Sequence, residues 1–194
     1  MFDYEMQKAA DTLIRDIFKV QPGETVVLTC DSLSCMKIVD AVASSAHAAG
    51  ALPMVIKFPA PDGVGQAADP KLPIEPLTGA VSNCDVWIEF NQKWLLYSTP
   101  YQRAISTNKK LRYMCLVEFT EDVMIRTMSD IDTAKLTEFM NRVAELNRAA
   151  KVIRMTTPSG TDVTFETDDR HVVSVDAGDA SKSGVYMMMG QLNV

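Results

Sequence analysis

The stretch TVVLTCDSLSCMKIVDAVASSAHAAGALPMVIKF, residues 25–58, decides the fold class. Its first part, residues 25–30, is a β-branched apolar run that is too short for a buried helix, so it predicts a strand. An Ala-rich segment follows, with an N-cap at Asp31 or Ser32 and a glycine stop, and this predicts a helix. Residues 51–58 then predict a second strand. A connection of this length makes the two strands parallel.

The same alternation continues on both sides of this unit. Apolar residues recur at helical spacing between residues 4 and 20, which predicts an amphipathic helix before the first strand. Two further apolar runs, residues 84–90 and 111–117, predict strands that each follow a helical segment. Near-continuous apolar strands are typical of a parallel sheet covered on both faces. We therefore predict a Rossmann-like α/β domain in three layers over residues 1–150, closed by a helix from about residue 133.

The rhythm of the sequence changes after Lys151. The segment KVIRMTTPSGTDVTFETDDRHVVSVDAG alternates on a two-residue step around PSG and DDR, which indicates an antiparallel hairpin or meander. The apolar run GVYMMMGQLNV, residues 184–194, comes last. Because soluble domains usually finish on a frayed polar tail, this run predicts contact with further residues or another subunit. We expect residues 151–194 to be a β-rich segment, the incomplete beginning of a second domain.

Composition and charge exclude several classes of protein. With 47% hydrophobic and 23% charged residues, the chain has a globular rather than a disordered composition. A formal charge of −6 and no basic run longer than Lys109-Lys110 argue against binding to nucleic acid or to an anionic membrane surface. No stretch reaches the roughly 18 apolar residues of a membrane span, and the acidic N-terminus does not resemble a signal peptide. We expect a cytoplasmic protein whose four cysteines are reduced thiols.

Sequence motifs for nucleotide, metal or cysteine chemistry are weak or missing. The first strand is not followed by G-x-G-x-x-G, and there is no phosphate loop of the G-x-x-x-x-G-K type. Cys30 and Cys35 lack the nearby Cys or His ligands that structural zinc needs. Cys35, close to a predicted helix N-terminus, would be a nucleophile only if His47 or His171 served as its base. A self-sufficient hydrolase of this kind is one hypothesis.

Candidate binding residues come from the loops that follow the predicted strands, since ligands of open parallel sheets gather outside the carboxyl ends of the strands. Asn91 follows the third strand and Glu118 follows the fourth. Tyr97 and Arg103, both in LLYSTPYQR, supply an aromatic ring and a cation that suit an aromatic or carboxylate ligand. The alternative for this segment is a helix face that packs on the sheet. We predict these four as substrate-binding residues, and we predict no metal ligand.

Several stretches, taken together and in order, resemble a known family. They are VQPGETVVLTCDS, AHAAGALPMVIKF and KVIRMTTPSGTDVTFET. They are similar to the N-terminal half of the leucyl aminopeptidase-like metalloproteins, a family that includes thermophilic aminopeptidases of the T and S type and the 2,5-dihydroxypyridine 5,6-dioxygenases. The segment LYSTPYQRAISTNKKLRYMCLVEFTEDVMIR resembles the dioxygenase branch more than the peptidase branch.

The resemblance implies an α/β domain followed by a metal-binding domain whose ligands lie beyond Val194. It implies a divalent metal, iron or else zinc or cobalt, in the full-length enzyme and none bound by this chain. A small aromatic or peptide substrate follows from the same resemblance. The apolar end predicts a missing C-terminal domain or a partner chain, with a homo-oligomer as the expected assembly. We therefore expect part of a metal-dependent enzyme that is inactive alone; the alternative is a non-catalytic binding or oligomerisation subunit.

Overall fold

The computed structural model describes residues 3–168, 170 and 172–193. Its helices are α1 (Asp3–Asp11), α2 (Met36–Ala48), α3 (Ile74–Val81), α4 (Thr99–Thr107), α5 (Glu121–Met128) and α6 (Thr133–Ala149), with a π-helical turn at Thr12–Ile17 and a 3₁₀ helix at Gly65–Lys71. Its strands are β1 (Thr25–Asp31), β2 (Leu52–Phe58), β3 (Val86–Glu89), β4 (Arg112–Cys115), β5 (Val152–Thr156), β6 (Asp162–Glu166), β7 (Ser174–Asp176), β8 (Gly184–Tyr186) and β9 (Gln191–Asn193).

A five-stranded parallel sheet confirms the α/β prediction. The strand order is β2-β1-β3-β4-β8, and each neighbouring pair is parallel. β3 and β4 are buried along their whole length and β1 almost so, whereas β2 lies at an edge and is mostly exposed. The near-continuous apolar runs therefore belong to the interior of the sheet, as expected for strands covered on both faces.

Helices cover both faces of this sheet. Because side chains alternate along a strand, Val27, Trp87 and Tyr113 share one face, on which α3 and α4 pack to form the main core cluster. The opposite face carries fully buried residues such as Leu28 and Ile88. It is covered by α1, α2 and α5, which contact one another.

α2 starts later than predicted. It begins at Met36 and not after a cap at Asp31 or Ser32. Asp31 is the last residue of β1, and its carboxylate accepts the N–H of Leu33 at 2.8 Å, so it closes a turn before the helix begins. The cap prediction was wrong for this reason. The glycine stop is confirmed at Gly50, which has a φ of +83°, a backbone conformation that glycine adopts at little cost.

The predicted hairpin in the C-terminal part of the chain is present as the antiparallel pair β5 and β6. The apolar run beyond residue 183 has partners of its own within the chain. β8 adds to the five-stranded sheet beside β4, β9 pairs with β7, and Met187 packs against the core cluster. Sequence analysis missed α5 and did not anticipate β8 as a strand of the parallel sheet. The prediction of an external partner at this run stays a prediction.

By internal contacts the chain forms two compact units. The first runs to Ile131 and also includes Asp179–Met188, because β8 pairs with β4. The second comprises Asp132–Gly178 and the residues from Met189 on, because α6 packs against β7 and β9. The predicted division into residues 1–150 and 151–194 differs from these units, and it stays a prediction about domains.

The described residues include no helix with the length and hydropathy needed to cross a bilayer. All four cysteines are free thiols. Burial raises the pKa of Cys84 and that of Cys115 to about 12, so both thiols stay protonated at neutral pH and are poor nucleophiles. These cysteines act as small buried side chains.

Candidate functional site at the carboxyl ends of the strands

The parallel sheet has a topological switch point between β1 and β3. From β1 the chain crosses over to β2 on one side, and β3 lies on the other side, so the connections diverge there. In open α/β sheets this divergence opens a crevice at the carboxyl ends of the strands, where ligands bind. Three polar residues, Asp31, Glu89 and Asn91, lie at these ends, and all three are 0% exposed.

Asp31 connects the end of β1 to the loop that follows β3. One carboxylate oxygen accepts the N–H of Leu33 at 2.8 Å and the hydroxyl of Ser34 at 3.2 Å. The other oxygen accepts the backbone N–H of Lys93 at 2.8 Å. Several N–H donors compensate the desolvation of a buried carboxylate. Asp31 therefore holds the start of the loop between β3 and α4 against β1.

Glu89, the last residue of β3, is a buried acid at this end of the sheet whose pKa is strongly raised. Its carboxylate accepts hydrogen bonds from the Tyr113 hydroxyl and from the backbone N–H of Leu95. Burial raises the pKa of Glu89 to about 7, an effect that these two donors oppose and that the charge of Asp31 reinforces. Sequence analysis missed Glu89, although one signal was available, since it is the single acid in the otherwise apolar run VWIEF, residues 86–90.

Neutral polar groups surround the Glu89 carboxylate on the same face of the sheet. Burial raises the pKa of Tyr113 well above its ordinary value, and it raises that of Cys115 to about 12. Next to them the indole N–H of Trp87 donates to the Thr29 hydroxyl at 2.9 Å. The buried polar atoms of this face are thus largely paired with one another, as low-dielectric interiors require.

A series of aromatic rings leads from this buried group to the surface. Trp87 and Tyr113 have ring centroids 4.6 Å apart. Tyr113 is followed by Tyr101 at 5.1 Å, and Tyr101 by Tyr97 at 5.9 Å with an edge-on geometry. Tyr113 is fully buried, Tyr101 is 9% exposed and Tyr97 is 63% exposed. Tyr113, in the buried part of the series, is therefore hydrogen-bonded to Glu89, and Tyr97 at the outer end faces solvent.

Between β3 and α4, the residues from Asn91 to Ser98 form a loop that we call the 91–98 loop. Its far end is held by Asp69, whose carboxylate accepts the backbone N–H of Thr99 at 3.0 Å and the hydroxyl of the same residue at 2.6 Å. Within the loop, Leu95 is fully buried and Trp94 is 38% exposed. Carboxylates therefore hold the loop by its backbone, and its aromatic side chains remain accessible.

Two residues at the carboxyl ends have a left-handed backbone. Tyr97 has a φ of +70° and Glu118, in the loop after β4, has a φ of +58°. For residues with a Cβ this conformation costs on the order of 1 kcal/mol or more. Such strain persists where the surroundings fix the backbone, and it is concentrated at functional sites.

The side-chain amide of Asn91 has no hydrogen-bond partner among the described residues, although both its oxygen and its nitrogen are buried. An unpaired buried polar group costs roughly 1–3 kcal/mol. Asn91 is the second residue after β3, at the switch point. Its amide can donate to and accept from a small polar group of a ligand.

The structure places three of the four predicted residues at one end of the sheet. Asn91 and Tyr97 belong to the 91–98 loop, and Glu118 follows the neighbouring strand β4. Arg103 is different, because its guanidinium lies 2.8 Å from the Glu75 carboxylate in an exposed ion pair between α3 and α4. The depression beside that ion pair is lined by residues of α3, of the loop after it and of α4. These two helices precede β3 and β4, so their C-terminal ends lie towards the amino ends of the strands.

The described residues do not fit a metal ion. Among them, no group of three His, Cys, Asp or Glu side chains is placed to hold one. The two buried acids of the site, Asp31 and Glu89, already accept several hydrogen bonds each. Iron, zinc and cobalt sites need at least three protein ligands with free lone pairs. We therefore derive no chemical step through a metal from these side chains.

The geometry also disfavours cysteine catalysis. Cys35 precedes the first turn of α2 and His47 lies in its last turn. Twelve residues of helix separate them by about 18 Å, far beyond the reach of a hydrogen bond. His171, the other predicted base, lies outside the described residues.

The chain is similar to known proteins in both sequence and fold. Residues 12–192 match the model of the family described as NicX: 2,5-dihydroxypyridine 5,6-dioxygenase. No curated protein sequence matches the chain. One similar solved structure is the 2,5-dihydroxypyridine dioxygenase from Pseudomonas putida KT2440, with 17% identity and a TM-score of 0.67 over 94% of this chain and 52% of that one.

A second similar structure is wild-type AmpT from Thermus thermophilus, with 16% identity and a TM-score of 0.56 over 90% of this chain and 56% of that one. The chain thus spans about half the length of both solved structures. At these identities the two likenesses show a shared fold.

Proposed function

The chain belongs to the 2,5-dihydroxypyridine 5,6-dioxygenase family, and from that premise we propose that it forms the α/β part of a metal-dependent enzyme that opens a hydroxylated aromatic ring. The observation that carries this proposal is the family match, which extends over residues 12–192 and so includes nearly all the elements of both units. The fold is shared with a dioxygenase and with an aminopeptidase, and the family match favours the dioxygenase.

The metal of the proposed reaction would be held by residues other than those described here. The resemblance implies iron for ring opening, and a bound metal of this kind would activate oxygen or the ring. The part that we assign to this chain is to bind and orient the substrate. Without ligands from elsewhere, we expect these residues alone to be inactive.

We assign the substrate wall to Asn91, Tyr97 and Glu118. The exposed Tyr97 ring offers a face or edge for stacking against an aromatic ring. The unpaired amide of Asn91 suits a ring hydroxyl or a ring nitrogen. Glu118 is exposed at the end of β4, where its carboxylate is free to accept from a substrate hydroxyl. A contact between Arg103 and the substrate stays a prediction, and we leave Arg103 out of the wall because its guanidinium is paired with Glu75.

The test is an assay of the protein made from the complete gene. We expect loss of 2,5-dihydroxypyridine absorbance with matching oxygen uptake when the protein is loaded with Fe(II). Release of p-nitroaniline from leucine p-nitroanilide with zinc or cobalt would instead favour the aminopeptidase. Turnover of neither substrate with any of the three metals would overturn the enzymatic proposal and favour a non-catalytic binding or oligomerisation subunit.

Single substitutions then test the wall. Asn91→Ala and Tyr97→Ala are each expected to lower kcat/KM by roughly tenfold or more, because each removes a polar or aromatic contact to the substrate. The matched control is Arg126→Ala, which removes an exposed arginine of α5 that pairs with Asp122 of the same helix. An unchanged kcat/KM in both wall variants would refute the assignment of these residues.

A further inference from the structure

We propose that Glu89 is a positioning residue, which holds the 91–98 loop and the Tyr97 ring in the arrangement that meets the substrate. This inference rests on the proposed function for the role of Tyr97, while the positioning itself is a property of the fold. Glu89 is fully buried, and both of its carboxylate oxygens already accept hydrogen bonds from the chain itself, so we assign it no contact with the substrate. It acts through other residues, by two routes.

The first route is through the backbone. The Glu89 carboxylate accepts the N–H of Leu95, a fully buried residue in the middle of the 91–98 loop. Asp31 accepts the N–H of Lys93, and Asp69 accepts that of Thr99, so carboxylates hold the loop near its start, middle and end. Charge-assisted bonds of this kind are about twice as strong as neutral ones.

The second route is through the aromatic rings. The other carboxylate oxygen of Glu89 accepts the Tyr113 hydroxyl, and the Tyr113 ring contacts that of Tyr101, which in turn contacts that of Tyr97. The backbone of Tyr97 is strained, at a φ of +70°. A strained conformation needs support from more than one side, and Glu89 supplies support to both the backbone and the ring.

The strength of this hold depends on the charge of Glu89. The groups that face it are Asp31 from β1, Tyr113 and Cys115 from β4, and Tyr101 from α4. Burial raises the pKa values of Tyr113, Cys115 and Tyr101 away from neutrality, whereas it brings the pKa of Glu89 to about 7. Protonated Glu89 is a weaker acceptor for the Leu95 N–H, and its own proton competes with that of Tyr113.

Amide hydrogen exchange tests this inference without any substrate. In the native protein, the protection of the Leu95 amide, corrected for intrinsic exchange, is expected to rise roughly five- to tenfold from pH 5.5 to pH 8.5, with a midpoint near pH 7. In Glu89→Gln the same amide should show no such rise. The matched control Glu5→Gln removes an exposed carboxylate of α1 and should retain the native profile.

A second variant keeps the test decisive if Glu89→Gln folds poorly. Tyr113→Phe preserves the ring contacts and removes the donor that favours ionised Glu89, so the midpoint should move to higher pH. In the enzyme from the complete gene, we expect Glu89→Gln to change KM more than kcat, because it alters substrate placement only. Equal pH profiles at Leu95 in native and Glu89→Gln protein would overturn the inference, whereas absent turnover would fault only the proposed function.

Discussion

Replacing Glu89 with glutamine should remove a large part of the pH dependence of the unfolding free energy between pH 5 and pH 8. Burial raises the pKa of Glu89 from 4.5 to about 7, and each pKa unit corresponds to about 1.36 kcal/mol. The protonated carboxyl therefore contributes on the order of 3 kcal/mol of stability below pH 4.5. This contribution is lost as the pH rises through 7, because Glu89 then carries a buried negative charge in the native state, whereas in the unfolded state water solvates that charge.

Glutamine has no such dependence, since it is neutral at every pH. Its side-chain oxygen still accepts the N–H of Leu95, so the fold should tolerate the change. The free energy of unfolding of Glu89→Gln, measured relative to the native protein, is expected to increase by roughly 2–3 kcal/mol between pH 5 and pH 8. The sign is informative, because a solvent-exposed, ion-paired glutamate would give the opposite trend.

The assay is urea unfolding at both pH values, followed by the fluorescence of the buried Trp87. Subtracting the native value at each pH cancels the titration of all groups common to both proteins. Glu5→Gln should give a difference near zero at both pH values, because Glu5 is exposed. If the difference between native and Glu89→Gln protein changes by less than about 0.5 kcal/mol from pH 5 to pH 8, burial is not what raises the pKa of Glu89.

Two further pairs of substitutions test the packing of the first unit. Arg112→Ala should lower the free energy of unfolding by about 3 kcal/mol, because it leaves the Glu24 carboxylate, 2.6 Å away, without its buried partner. Arg126→Ala removes one member of an exposed pair and should change the free energy of unfolding by less than about 1 kcal/mol. Parallel urea titrations measure both values. Gly65→Ala should lower the thermal midpoint, since the new Cβ would lie 3.0 Å from a carbonyl oxygen of the 91–98 loop at a φ of +56°. Gly79→Ala, with open space in α3, should raise it, and a fall of equal size in both glycine variants would contradict this account.

The framework of the first unit could be predicted from sequence because its strands are buried on both faces. β1, β3 and β4 are near-continuous apolar runs, and such runs give a strong local signal. β8 could not be predicted in this way. It has three residues, and its place in the sheet depends on pairing with β4, about 70 residues earlier in the chain. A pairing over that distance leaves no periodicity in the sequence.

The candidate site could be predicted only in outline. The rule that ligands gather at the carboxyl ends of parallel strands led to Asn91 and Glu118, and the segment LLYSTPYQR led to Tyr97, but neither gave information on their geometry. The left-handed backbone of Tyr97 and Glu118 could not be predicted, because glycine is the residue that marks this conformation in a sequence. Arg103 comes from the same segment as Tyr97, and in the structure it forms an ion pair with Glu75 on the helical layer, so its contact with a substrate stays a prediction.

Glu89 shows why acids inside strands are informative. A carboxylate in an apolar strand lowers stability at neutral pH, so its presence needs a compensating reason. Here the same group accepts the Leu95 amide and the Tyr113 hydroxyl, and so contributes order to the loop at the end of the sheet. Local order and global stability therefore respond to pH in opposite directions, which makes the two measurements independent tests of one residue.

The late arrival of β8 has a consequence for synthesis on the ribosome. β4 ends at Cys115 and its outer neighbour begins at Gly184, so 69 residue steps separate the two strands. At roughly 5–20 residues per second, the free edge of β4 is without its neighbour for about 3–14 s while the chain emerges. The unpaired backbone groups of an edge strand can form hydrogen bonds with a strand of another nascent chain. Codon usage and chaperone access between these two strands should therefore influence how much of the protein is recovered in folded form.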